Sequence, residues 1–226
     1  MTLFAALGPF FSVEQHAAPT PKPPWHRLSE LVDDPAILAD RIAHTRAYLG
    51  TASGQPAEAI EVRVAASVTH LGLVARIISP ALAAVVLEDR VPDLALDHLH
   101  WQPVLGGAFP LSLPPIPPAG GDLHRELFDG PLPAIAQAFE LSDHILTGNV
   151  ASAVNGAATA LSNADPTLAT RAHTVTTDLL ALPPLRDAHT PDPFRRRSCC
   201  LIYRAAPNHK GPLCGDCVLT TAHGKG

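Results

Sequence analysis

Residues 62–87 read VRVAASVTHLGLVARIISPALAAVVL. This is the most apolar run of the chain, and its reading decides the fold class. Arg63, His70, Arg76 and Pro80 break it up, so no uninterrupted stretch reaches the roughly twenty apolar residues that a membrane span needs. Apolar residues lie nearly all round the helical wheel, as in a central helix buried by its neighbours. The predicted helix runs from about Pro56 to Glu88, with acidic Glu58 and Glu61 near its start. Ser79-Pro80 is expected to kink or split it.

Working outward, residues 28–50 read LSELVDDPAILADRIAHTRAYLG. Asp33-Asp34 before Pro35 marks a helix start. Ile37, Leu38, Ile42, Thr45 and Leu49 recur at steps of three and four, and Gly50 is the expected stop. Upstream, AAPTPKPPWH (17–26) has four prolines in ten residues and reads as an extended linker, with Trp25 docked on the body. The N-terminus, MTLFAALGPFFSVEQH, has no Lys or Arg before its apolar stretch and is broken by Gly8-Pro9, a poor fit to a secretory signal.

Downstream of the central run the pattern changes. Leu94, Leu96, Leu99 and Trp101 alternate with polar residues, Gly106-Gly107 can reverse the chain, and Phe109, Leu111 and Leu113 alternate again. A β-hairpin is predicted at about 93–113. Helices resume at Pro131 and continue through Ile135, Phe139, Ile145, Leu146, Val150, Val154 and Leu161. Gly148-Asn149 and Asn155-Gly156 interrupt that pattern. A glycine inside a helix costs about 1 kcal/mol relative to alanine, so these sites point to close packing, a break, or backbone approach to a ligand. Asp165-Pro166 opens a last helix, closed by Pro183-Pro184. The expected fold is mainly α (α+β): a helical, bundle-like body with one small hairpin over residues 1–190, and an irregular cysteine-rich segment over 191–226.

The chain has 226 residues, 46% hydrophobic and 16% charged, with a net charge of −5. That is ample for a hydrophobic core. Basic residues are few and scattered, which excludes the usual nucleic-acid footprint. With neither a signal nor a span, the sequence predicts a cytoplasmic protein with at most peripheral proximity to a membrane. Thiols in a reducing compartment are more often metal ligands or catalysts than disulfides.

All four cysteines, Cys199, Cys200, Cys214 and Cys217, fall in the C-terminal stretch RRRSCCLIYRAAPNHKGPLCGDCVL. The pattern is C-C-x13-C-x2-C. The C-x2-C pair is a ready chelate, with Gly215 freeing the backbone to bend. Adjacent cysteines in a strand point to opposite faces and need a bent backbone to converge. Structural zinc sites generally use spaced pairs on both sides, so adjacency argues against zinc. Four thiolates suffice for a [2Fe–2S] cluster, whose two irons present a longer target. Arg195, Arg196 and Arg197 directly upstream are candidate electrostatic tuners that would stabilise the reduced form, with Asp216 opposing them; a solvated basic patch explains the run equally. His209, between the ligand pairs, is a candidate ligand or a surface loop residue, and His223 is read as a terminal bystander. CGDC also matches a thiol–disulfide motif, but no βαβ unit surrounds it.

RRSCCLIYR and GPLCGDCVL resemble the C-terminal signature of the siderophore-iron reductase family, the FhuF-like (2Fe-2S)-binding proteins. GNVASAVNGA, Gly148 to Ala157, is similar to an internal helical segment of the same family. The family spacing is nearer C-C-x10-C-x2-C. The extra length here falls around APNHKG, where lengthening a loop carries little closure entropy.

The resemblance implies that Cys199, Cys200, Cys214 and Cys217 hold the irons of one [2Fe–2S] cluster. It further implies an oxidoreductase, a ferric-siderophore reductase, that passes one electron to siderophore-bound Fe(III) and so releases iron in the cytosol. Its partners would be a ferric siderophore and an electron donor protein or reductant, with no nucleic acid. Two alternatives stand: an iron–sulfur sensor or siderophore-binding protein without turnover, and a zinc-stapled interaction protein. Catalytic residues are unknown at this level. His98, His100 and Trp101 on the hairpin are candidates for a ligand-contacting surface, or else a buried tryptophan flanked by exposed histidines. His44, His70 and His144 read as packing or surface residues on helices.

Overall fold

The computed structural model describes residues 2–104, 107–118 and 120–222. Its centre is a helix over Val62–Glu88, here α3. The earlier helices are α1 (Glu30–Asp33) and α2 (Pro35–Ser53); the later ones are α4 (Leu123–Phe128), α5 (Pro131–Ala138), α6 (Asp143–Ala164) and α7 (Ala169–Ala181). α3 packs on α2, α6 and α7, and Val74, Ile77, Ile78 and Leu82 are fully buried. Each such side chain contributes about 1.5–3 kcal/mol by leaving water. The same helix is long and apolar enough to cross a membrane, but 72% of its most apolar window is buried inside the fold. It is the core of the body.

α3 continues unbroken through Pro80. The proline is buried among neighbours that stabilise the helix despite the hydrogen bond its ring removes. The predicted start at Pro56 is shortened: a 3-10 turn over Ala57–Ala59 comes first. α2 runs past Gly50 to Ser53 and ends at Gly54, whose φ of 67° suits a glycine. Gly50 serves close packing instead: a Cβ there would lie 2.9 Å from the Gln55 carbonyl oxygen. Asp34 caps α2, its side chain accepting from the Ala36 N–H at 2.8 Å. Likewise α6 passes through Gly148 and Gly156 without a break.

The predicted hairpin is present as β4 (His100–Trp101) and β5 (Leu111–Leu113), antiparallel with Trp101 opposite Leu111. Gly106 lies outside the described residues. The hairpin belongs to a five-stranded sheet, completed by β1 (Thr2–Leu3), β2 (Val13–Gln15) and β3 (His26–Arg27) in the order β1-β2-β5-β4-β3. β2 runs parallel to β5. Buried Arg76 fastens the N-terminal segment to the hairpin: it donates to the carbonyls of Phe10, Ser12 and Phe109. Such short strands with distant partners carry little periodicity in sequence.

His100 is buried at 3% exposure, not on an open face. It stacks on His16 at 3.7 Å, so both faces of the strand are covered. Trp101 is core, its indole N–H donating to the Arg27 carbonyl. His98 is exposed and pairs with Asp93.

After α7 comes a second, two-stranded sheet, β6 (His189–Pro191) with β7 (Phe194–Arg196), which spans the 190/191 division expected from sequence. β7 lies on α6 and delivers the chain to the cysteines.

Candidate metal centre

Arg196 is the last residue of β7, and its position organises the site. Its backbone N–H donates to the Asp216 carbonyl at 3.0 Å, while its side chain is fully buried with Nε 3.2 Å from Asp216 Oδ2. Strand β7 is thereby tied to the C-x2-C turn. Nη1 donates to Asn149 Oδ1 at 3.1 Å, and Nη2 donates to Cys214 Sγ at 2.7 Å. Burial alone would lower the Arg196 pKa, but Cys200, Asp216 and Cys214 outweigh it and raise it. Asp216 thus orients the arginine, while its own charge opposes the arginine at Cys214, whose thiolate it disfavours.

Only Arg196 of the three arginines reaches the cysteines. Arg195 turns to the Thr220 hydroxyl. Arg197 is exposed, and its carbonyl accepts from His144 Nε2 at 2.9 Å. A strand alternates its faces, so a run of three arginines cannot act as one patch.

Asn149 carries the contact into the body. Its Nδ2 donates to the Ser67 carbonyl at 3.1 Å and lies 3.3 Å from His70 Nδ1. His70 is buried edge-on against Phe139, and burial pulls its pKa down to about 4. Next to Asn149, Gly148 leaves room for the tail: a Cβ on it would lie 1.9 Å from Ser198 Oγ. The glycine pattern in α6 raised close packing as one option, and Gly148 is that case. Asn149, Ser67 and His70 were not legible as site residues, because their spacing only marks buried faces of α3 and α6.

The four sulfurs are free thiols that fall into two pairs. Cys200 and Cys214 are 3.7 Å apart, and Cys199 interacts with Cys217. Each adjacent cysteine thus reaches one member of the C-x2-C turn. The opposite orientation of neighbours, an obstacle for a single ion, here separates two pairs. The required bend lies just after Cys200: Leu201 has φ 68°, a strained setting for leucine. Gly215 needs no special backbone, since its φ is not in the left-handed range and a Cβ on it would meet nothing within 4 Å.

Backbone N–H groups point at the sulfurs. Leu201 N–H donates to Cys199 at 3.3 Å, Leu219 N–H to Cys217 at 3.4 Å, and Ile202 N–H to Cys200. Such donors stabilise thiolates. Cys200 is drawn down to about 5, first by the S–H of Cys214, with Arg196 adding to it against burial. Cys214, giving that hydrogen bond, is pushed up. The pair shares one proton. Burial pushes Cys199 up.

Two sulfurs on one tetrahedral metal, with bonds near 2.3 Å, sit roughly 3.7–3.8 Å apart, which the Cys200–Cys214 separation matches. Among the described residues, no three His, Cys, Asp or Glu side chains gather closely enough for one ion. Two pairs with N–H donors therefore fit a two-iron cluster better than zinc.

Residues 196–219 match the family model of the FhuF 2Fe-2S C-terminal domain. The chain carries a FhuF-like [2Fe–2S] segment. The match begins at Arg196 and does not extend to Gly148–Ala157. Comparison with curated proteins finds no match. A [2Fe–2S] cluster is the cofactor of the FhuF-like segment, and the iron–sulfur character of the chain rests on it.

The loop between Cys200 and Cys214 is a docking element. Arg204 pairs with Glu61 at 2.6 Å, His209 Nε2 lies 3.4 Å from the same carboxylate, and Gln55 donates to the Ala205 carbonyl at 2.8 Å. Leu201, Ile202 and Ala205 pack on Leu49, Ile60, Val64 and Ala65. His209 thus faces Glu61, away from the sulfurs. His223 lies outside the described residues.

Proposed function

We propose that this protein is a ferric-siderophore reductase of the cytosol, with Cys199, Cys200, Cys214 and Cys217 as the cluster ligands. The observation that carries the reading is the double pair of thiols held against one buried arginine. When bound, a [2Fe–2S] cluster supplies a reversible one-electron carrier. Arg196 favours its more negative, reduced form, because a cation beside a thiolate gains as negative charge accumulates. Cys199 and Cys214 are only half-buried while Cys200 and Cys217 are shielded, so one edge of the site faces solvent and a docked substrate.

Hard oxygen donors hold Fe(III) far better than Fe(II). Held by Cys199, Cys200, Cys214 and Cys217, the cluster would supply the single electron that turns a ferric chelate into a ferrous one, which releases its metal. A low-potential one-electron donor protein or small reductant restores the cluster.

The test is anaerobic mixing of dithionite-reduced protein with ferric siderophores in the presence of a ferrous trap. Reoxidation of the cluster, with one trapped Fe(II) per electron, is expected. No reoxidation across hydroxamate, catecholate and carboxylate types contradicts turnover and favours the sensor.

A further inference from the structure

Arg41 and Arg76, like Arg27, Arg46 and Arg63, make no ion pair within 4.0 Å of any described carboxylate, and these two are set apart by the Phe109 ring they share. Arg76 is 2% exposed and spends its donors on three backbone carbonyls, with its guanidinium 5.8 Å from the Phe109 ring. Arg41 is half-buried and has no hydrogen-bond acceptor among the described residues. It is held by rings alone, 5.0 Å over Trp101 and 4.8 Å over Phe109. Buried cations are ordinarily paired with a carboxylate. Two that share one aromatic ring and lack such a partner make an electropositive locus.

Of the two, Arg41 lines a cleft of about 250 Å³, together with Phe10, Thr45, Tyr48, Val68 and Phe109, while Arg76 borders a different depression. Among the described residues, no acidic side chain lines the Arg41 cleft. The nearby Glu30 and Asp40 line a separate depression that Arg41 also borders, each 3.1 Å from a histidine nitrogen, of His26 and His44. Phe10 and Tyr48 stand exposed at 37% and 53%, offering aromatic surface beside the guanidinium. Val68 lies between the cleft and the seat of the cysteine-rich loop. It lines the cleft and also packs on the small apolar cluster that carries Leu201 and Ile202, the residues following Cys199-Cys200.

We infer that this cleft binds one anionic arm of a ferric chelate, with carboxylate or catecholate oxygens against Arg41 and the arm lying on Tyr48 and Phe10. The volume admits an arm, while the metal and the remaining arms stay outside, toward the tail. The inference rests on the reductase reading, and it commits to substrates of net negative charge.

The test uses redox-inert gallium(III) in place of iron, so that binding is read without turnover. Cluster-loaded protein is titrated calorimetrically with gallium(III) citrate, with a neutral or cationic gallium(III) tris-hydroxamate, and with gallium-free citrate. Arg41→Gln is expected to weaken gallium(III) citrate about ten-fold or more, and to leave the tris-hydroxamate within two-fold. Tyr48→Ala, a rim change that does not threaten folding, is expected to weaken it several-fold. Gallium(III) citrate binding that is absent, or unaltered in both variants, overturns the site. Equal Arg41-dependent binding of free citrate overturns the chelate and leaves a simple carboxylate site. Failure of the parent reading is separable: Arg41-dependent gallium binding without reduction of any ferric chelate removes the reductase and keeps the cleft. Reduction of ferric citrate with KM unchanged in Arg41→Gln does the reverse.

Discussion

At the residue scale, Arg196 is the side chain on which the site turns. It is fully buried, hydrogen-bonds Cys214 and is held in place by Asn149 and Asp216. Charge-assisted hydrogen bonds of this kind carry roughly 1.5–3 kcal/mol. If about half of that is gained only on reduction, Arg196→Gln lowers the midpoint potential by roughly 30–65 mV, since about 1.4 kcal/mol corresponds to 59 mV for a one-electron couple. Asn149→Leu, which frees the guanidinium without removing it, should lower the potential less. An unchanged potential in a cluster-loaded Arg196→Gln protein contradicts the electrostatic role. Sequence marked three arginines without separating them, because the division depends on strand faces that a run of like residues hides. His70 gives a pH test. Its folded pKa near 4 lies below the ordinary 6.5, so the fold prefers the neutral ring. That stability is complete above pH 6.5 and is lost as pH falls toward 4. His70→Leu should therefore flatten the fall in unfolding free energy between pH 7 and pH 5 by about 2 kcal/mol, read by chemical denaturation at both values.

At the element scale, α6 and β7 meet where Gly148 faces Ser198. Gly148→Ala places a methyl group on the serine hydroxyl, and the simplest relief moves Ser198, two residues from Arg196 and beside Cys199. The single variant should lose cluster content on isolation while helicity stays unchanged. Adding Ser198→Gly should restore much of it, a coupling that independent sites do not show. The long helices were legible because their period and apolar faces are local properties of the chain. α7 lies close to its predicted bounds, α3 begins six residues after its expected start, the helical run expected from Pro131 divides into α5 and α6, and the hairpin strands fall inside the predicted span. β1, β2 and β3 were not legible. Two or three residues carry no measurable period, and β2 finds its partner Ser112 about a hundred residues away. Glycines misled where their role was packing: Gly50 read as a stop because a missing Cβ looks the same in either use.

At the scale of the whole molecule, the cysteine-rich segment is not an appendage. It is seated on α2 and α3 through Leu201, Ile202 and Ala205, tied to Glu61 by Arg204, and anchored in the core through Arg196 and Asn149. The Arg204–Glu61 pair is part-exposed and contributes about 0–1 kcal/mol, so Glu61→Ala should loosen the loop without removing the cluster. The candidate donor set is legible in the sequence, since all the thiols lie within nineteen residues. Which sulfur pairs with which required the fold, because pairing depends on the turn at Leu201 and the path of β7. The central claim is that these thiols hold two irons as a [2Fe–2S] cluster. The most direct measurement is iron, sulfide and zinc quantification on anaerobically isolated protein, alongside its visible spectrum. The account predicts a reddish-brown protein with two irons and two sulfides per chain, and loss of both in Cys214→Ser. A colourless, zinc-loaded protein, or a full cluster retained in Cys214→Ser, contradicts it.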